Sequence, residues 1–233
     1  MKSQSPAINA PRSILILMVI IAGVHVLKNI ASSELARDML VYLSFIPVRF
    51  LDSSLLPGGE VVKFLSFITY SFLHGDMSHL FVNLLSMLAF GTISAWRLGT
   101  AKFLVFCAVC SVAGALVHLM SHWGEPVPMI GASAIVSGQM AVAARFLDQK
   151  NSFSLARGVG ARDLDPMSIK QMLRSRTAMI FLGIWIAINL FMGFGGGLMG
   201  GSLNSIAWEA HFGGFLAGFI LFPSLDKLGS SDQ

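Results

Sequence analysis

The sequence specifies an all-α membrane protein, a bundle of six transmembrane helices, and three features carry that reading. Hydrophobic residues make up 55% of the 233-residue chain and charged residues only 12%, against roughly 25% charge in soluble domains. The apolar residues gather in long runs rather than in the short alternating segments of an outer-membrane barrel. Basic residues are also segregated: with a cytoplasmic amino terminus, twelve of the sixteen fall on the inner side, and Lys28, Arg37, Arg49 and Lys63 share one long outer loop. By the positive-inside rule both termini are cytoplasmic. One domain covers residues 1–233, with a core over about 13–223 and short cytoplasmic tails.

The expected spans are about 13–28, 78–96, 101–121, 131–147, 177–194 and 205–223. The first follows Lys2 and Arg12 as a signal peptide would. No small-residue cleavage site follows it, and the later spans need it to place their loops, so it is read as the first helix. In the outer loop, residues 29–77, the Ser32-Ser33-Glu34 start and the spacing of Leu35, Met39, Tyr42 and Leu43 predict an amphipathic helix at the membrane surface. Pro47 is expected to end it, and Pro57-Gly58-Gly59 to form a turn. The third span carries Cys107-x-x-Cys110, read as lipid-buried thiols, and His118 and His122 four residues apart near its outer end.

Pro126 and Pro128 delay the fourth span, and residues 133–147, about 15, rise only roughly 22 Å against a hydrocarbon core of about 30 Å. Ser133 is therefore expected roughly 8 Å below the outer surface. The inner loop, residues 148–176, reads as a solvated basic connector facing anionic lipid, with Asp165-Pro166 as a turn or helix start. Glycines at 195–197 and 200–201 make the fifth connection a flexible turn or a mobile flap, with the turn favoured.

Three segments place polar groups where a bilayer offers no water: His79-Leu-Phe-Val-Asn83, Gly131-Ala132-Ser133-Ala134 and Ala210-His211-Phe-Gly-Gly214. The topology puts all three on the outer side. A hydroxyl with an imidazole suggests acyl transfer, the serine attacking and the histidine carrying the proton. Gly131 permits an unusual backbone, and a helix starting at the serine leaves free amides for an oxyanion. His79 and Asn83 share a helix face. Gly214 and Gly218 form a small-residue ridge that brings the sixth span close to a neighbour, and with it His211. Each residue alone also has a plainer reading, a hydroxyl or a polar pair that helps helices pack.

Together these segments resemble the rhomboid intramembrane serine proteases, and Thr69-Tyr70-Ser71-Phe72-Leu73-His74-Gly75 is similar to that family's approach to its second helix. The resemblance covers roughly residues 65–220. It implies a rhomboid-like six-helix bundle that cleaves transmembrane substrates within the bilayer, with no cofactor, no metal and no nucleic acid, most simply in a bacterial inner membrane. Ser133 is then the nucleophile and His211 the general base and acid. The Ser133 amide, His79 and Asn83 form the oxyanion hole, and Gly131, Ala132, Ala134, Gly214 and Gly218 line or pack the site. Three departures stand out: Ala134 replaces the family's glycine, Ser137 replaces an aromatic residue, and no Trp-Arg pair lies near residues 63–69. The alternative is a weak or inactive rhomboid-like protein that binds membrane clients. A zinc protein built on His118 and His122 lacks a third ligand, Glu125 being a poor one, and an aspartyl protease lacks paired aspartates within spans.

Overall fold

Successive apolar runs without the apolar–polar alternation of strands fold as helices, and the structure, a computed structural model, contains helices in all six expected places. It describes residues 10–148, 164–195 and 207–227. The helices are α1 (Arg12–Ile30), α2 (Ser33–Leu43), α3 (Gly59–Thr69), α4 (Met77–Ser86), α5 (Thr92–Ser121), α6 (Ser133–Ala144), α7 (Ile169–Arg174), α8 (Arg176–Gly195) and α9 (Trp208–Lys227). Three stretches are long and apolar enough to cross a membrane: Arg12–Ile30, Met77–Ser121 and Arg176–Gly193. The second is 45 residues long, about 68 Å at helical rise and more than twice a hydrocarbon core. A π-helical turn over Met87–Gly91 joins α4 to α5, and Gly99, at φ 66° and ψ 174°, breaks α5. The expected second and third spans fall on either side of Gly99.

α6 is the central helix. Of its twelve residues only Ser133 and Met140 are not buried, and it packs chiefly on α9 and α5. At 12 residues it is shorter than the expected span, because the chain leaves the helix at Arg145, whose guanidinium Nε donates to the Met167 carbonyl at 2.8 Å and whose charge lies over the Phe222 ring. The α6–α9 contact is backbone on backbone. A methyl on Gly214 would stand 2.0 Å from the Ala134 carbonyl oxygen, and one on Gly218 would stand 2.5 Å from the Gly138 Cα. On the other side of α6, the Ala134 methyl occupies the space left by Gly114, where a Cβ would meet it at 2.5 Å.

Several boundaries differ from expectation for identifiable reasons. α2 forms with Ser32 capping the Leu35 amide at 3.2 Å, but it stops at Leu43, four residues before Pro47. Ser44 is already extended because Phe45 pairs with Met129 in an isolated antiparallel bridge. Pro47 instead opens a short 3-10 turn. Gly58 and Gly59 take positive φ, as the Pro57-Gly58-Gly59 turn requires. In the inner connector Asp165-Pro166 starts no helix; α7 begins at Ile169 behind a capping box of Ser168 and Gln171. That connector is not wholly solvated, since Met167 and Met172 are buried against Ala144 and Ala178. The glycines at 196–197 and 200–201 lie outside the described residues. Cys107 and Cys110 are buried free thiols.

Tight contacts between glycine backbones are intolerant of added volume, and this separates one glycine from another. Gly214→Ala is expected to lower stability by about 1–3 kcal/mol, whereas Gly23→Ala in α1, with nothing within 4 Å of the added carbon, should be neutral or slightly stabilising. Thermal unfolding of both variants in detergent checks this.

Candidate active site

One end of the bundle brings two of the three polar segments, those of His79 and Ser133, together at Gly131. The chain before it is held by pairing rather than by helix: Phe45 and Met129 exchange backbone bonds of 3.1 and 2.8 Å, the Val48 amide donates to Glu125 at 3.0 Å, and the Gly131 amide donates to the Tyr70 carbonyl at 3.0 Å. Tyr70 is itself fixed, its hydroxyl donating to the Ser111 carbonyl at 2.9 Å. Gly131 therefore has its backbone set from outside, at φ 119°, a conformation that disfavours any residue with a Cβ.

That open face of Gly131 is where the site forms. A carbon built on it would lie 2.8 Å from His79 Nε2 and 3.8 Å from Ser133 Oγ. Two chemical groups from different helices thus look onto one small space. Ser133 is the first residue of α6, so its amide is one of the helix donors without an intrahelical acceptor, and it makes no hydrogen bond among the described residues. Ser133 Oγ is likewise unbonded there.

α4 supplies the opposite wall. Asp76 caps it, its carboxylate accepting from the His79 amide at 2.9 Å and the Ser78 hydroxyl at 2.5 Å. The Ser78 hydroxyl first and the His79 amide second hold that carboxyl below the usual carboxylate range. His79 Nδ1 faces the Gly75 amide at 3.5 Å, so the acceptor nitrogen is turned away and Nε2 carries the proton toward Gly131. Asn83 is buried one turn on, and one amide hydrogen goes to the His79 carbonyl at 3.0 Å. The second remains available.

His211 lies on the first turn of α9, on the same face as Gly214. Because Gly214 touches Ala134, His211 is carried to the level of Ser133. Its Nδ1 meets Asn189 Oδ1 of α8 at 2.6 Å, and its Nε2 has no partner among the described residues. Ser133 Oγ and His211 Nε2 are thus both without a partner among the described residues. Ala132, Ala134 and Ser137 are buried behind the serine.

Sequence reasoning passed over several groups. His74, quoted only as part of a segment, is fully buried; its Nε2 faces the Ala132 amide at 3.5 Å and its ring lies 4.9 Å from that of His79. Burial, with His79 beside it, pushes its imidazole down to about 3, so it is neutral and accepts. Lys28 pins this turn to α1, donating to the His74 carbonyl at 2.5 Å and to Gly75 at 3.2 Å. Asn189 gave a signal in the sequence, a lone amide in an apolar run, which no motif drew attention to. The third partner of His118 and His122 is Glu209, not Glu125: His118 Nδ1 and Glu209 Oε1 are 2.5 Å apart and His122 Nδ1 is 3.4 Å away. These three could share a divalent cation. As the side chains stand, the His118–Glu209 contact ties α5 to α9.

A Rhomboid domain model matches residues 62–225. The chain is also 27% identical over 201 residues to a RHOMBOID-like protein 5 of Arabidopsis thaliana, covering 84% of this chain and 55% of the plant protein. It thus spans about half the length of that relative.

The positive φ of Gly131 makes a sharp prediction. Gly131→Ala should cost about 1–3 kcal/mol of stability from the backbone alone, and should also displace the His79 ring, whose Nε2 stands where the methyl would go. Thermal unfolding measures the first, and loss of Ser133 labelling by a fluorophosphonate probe measures the second.

Proposed function

This chain belongs to the rhomboid family and is an integral membrane protein, and from that premise we propose that it is an intramembrane serine endopeptidase acting on transmembrane segments through Ser133 and His211. The observation that carries the proposal is the shared space at Gly131, onto which a serine hydroxyl at a helix start and an imidazole donor both look. The absence of a side chain at Gly131 is what lets the His79 ring come this close to the start of α6.

The chemistry follows from the groups present. Ser133 Oγ attacks the scissile carbonyl carbon while its proton passes to His211 Nε2. The carbonyl oxygen, now an oxyanion, sits among the Ser133 amide, the His79 Nε2 proton and the second Asn83 amide proton. When the tetrahedral intermediate collapses, the C–N bond breaks and His211 gives its proton to the leaving amine. Water then attacks the ester, His211 accepting a proton from it and returning one to Ser133 Oγ as the carboxylic acid leaves. No step needs a metal or a cofactor.

The proposed arrangement in the bilayer has six crossings and cytoplasmic termini, in a bacterial inner membrane. α6 has 12 residues and so rises about 18 Å against a core of about 30 Å, which would place the serine roughly 12 Å below the outer surface. That is deeper than the roughly 8 Å the sequence suggested, because the helix is shorter. A substrate helix must unwind there to expose a carbonyl, since its backbone bonds are otherwise satisfied internally.

Ser133→Ala and His211→Ala should each abolish cleavage of a transmembrane substrate while leaving thermal unfolding nearly unchanged, because the two act as a unit. His79→Ala and Asn83→Ala should lower kcat by about ten- to a thousandfold, about 1–4 kcal/mol, with a smaller change in KM. Full turnover by Ser133→Ala would overturn the assignment, and failure of the wild type to react with a serine probe would favour a client-binding protein without catalysis.

Cleavage is expected within the outer part of the substrate's membrane segment, beside a small residue, and faster when Gly or Pro lies a few residues downstream. Mass spectrometry of product termini tests this. Cuts clustered on the cytoplasmic side would contradict both the topology and the site.

A further inference from the structure

α8 is the most lipid-like helix of the bundle: Ile184, Ile186, Ile188, Leu190 and Phe191 are all exposed. Within that surface Asn189 is 2% exposed. A buried carboxamide on an apolar helix is costly unless both its ends are bonded. Here they are. The Asn189 amide donates to the Trp185 carbonyl at 2.7 Å, and its oxygen meets His211 Nδ1 at 2.6 Å.

The two bonds together determine a proton position. Turning the amide over would set its oxygen against the Trp185 carbonyl, acceptor facing acceptor, so Oδ1 faces His211. A carboxamide oxygen only accepts, so His211 Nδ1 must carry the proton and Nε2 must hold the lone pair. That is the tautomer a general base toward Ser133 requires. Orientation comes from the same contact. Trp185, one turn before Asn189, stacks on Phe215 at 4.5 Å and packs on Phe212 at 5.0 Å. Trp185 with Phe215 and Asn189 with His211 are thus successive rungs of one antiparallel helix pair. Among the described residues no aromatic ring stacks on His211, and the residue one turn after the serine is the small Ser137.

We infer that Asn189 is the positioning residue of the catalytic base, completing a Ser133–His211–Asn189 relay whose third member stands on a different helix from the other two. The inference rests on the protease reading for its consequence in turnover, but the tautomer does not depend on that reading. Because α8 meets the lipid over most of its surface, the alignment of the base depends on how α8 sits against α9.

The test has an arm without catalysis and an arm with it. In detergent-solubilised protein carrying Ser133→Ala, nitrogen-15 NMR of labelled histidine should show His211 protonated at Nδ1, and Asn189→Leu should shift it toward the Nε2 tautomer or a mixture. A wild-type Nε2 tautomer, or no change with Asn189→Leu, overturns the inference. In the otherwise native enzyme, Asn189→Leu should lower kcat at least tenfold with KM within about twofold, and Asn189→Asp, which keeps the acceptor toward His211 but sets its second oxygen against the Trp185 carbonyl, should recover part of the loss. Equal kcat in the wild type and Asn189→Leu, or a loss lying wholly in KM, also overturns it. If the expected tautomer is found in a protein that cleaves nothing, the positioning contact stands and the protease reading falls.

Discussion

The contact between α6 and α9, backbone against backbone, is the constraint on which the rest of the structure depends. Lipid gives helices no hydrophobic reason to associate, so close van der Waals approach must do that work. Here it is obtained by removing side chains: Gly214 faces the Ala134 carbonyl and Gly218 faces the Gly138 backbone. The helix periodicity then carries the consequence outward. His211 is three residues before Gly214 and Ser133 is one before Ala134, so the packing that holds the bundle together also brings the two helix starts that carry them to one level. Any residue larger than glycine at 214 would open the crossing and separate them. The third helix at this point, α5, contributes Gly114, which accommodates the methyl of Ala134. An alanine beside the nucleophile is therefore absorbed by a neighbour rather than by the site.

Around that crossing, polar ties hold the two ends of the bundle. At the end away from Ser133, Arg97 and Asp226 form a two-pronged ion pair, with bonds of 3.0 and 2.6 Å, just before the break at Gly99. Elsewhere Arg49 is fully buried, its guanidinium donating to the carbonyls of Pro57 and Val41, so that one charge organises the turn after α2. Ser71, Ser111 and Tyr70 link the end of α3 and the turn after it to the middle of α5. The Arg97 and Ser111 contacts span long sequence separations and use paired or neutral groups, as a medium without water demands.

The helical architecture was legible in the sequence because apolar run length and glycine spacing are properties of one dimension. So were Gly131 and the i, i+4 relation of His79 to Asn83, which need only local geometry. What was not legible is pairing between helices. His118 and His122 are visible as a pair, but their partner Glu209 is ninety residues away on α9, chosen by the crossing angle and not by spacing. Arg49 reads as an outer-loop charge, since nothing local says that the loop folds back over it. Asn189 could have been found by the argument applied to Ser133, that an amide in lipid needs a reason, yet its partner required knowledge of which face of α8 meets α9. The end of α2 was missed because the competitor of the helix, the Phe45–Met129 bridge, lies more than eighty residues away in sequence.

The same logic separates polar groups that hold the bundle from those that act. Orphaned polar atoms alone do not mark a site: Ser13 Oγ and Gln139 Oε1 are buried without partners and sit far apart in the chain. What distinguishes the outer cluster is that its unused capacities converge and are complementary. Ser133 offers a hydroxyl and an amide proton, His79 and Asn83 each offer a proton, and His211, with Nδ1 occupied by Asn189, offers a lone pair. Three donors around one nucleophile and one acceptor are what a developing oxyanion and a departing proton require. A purely structural cluster would gain from closing these bonds on one another. Here the surrounding contacts at Gly75, Trp185, Asp76 and Tyr70 hold these groups by one end, and only His79 and Ser133 are seen to face the space at Gly131.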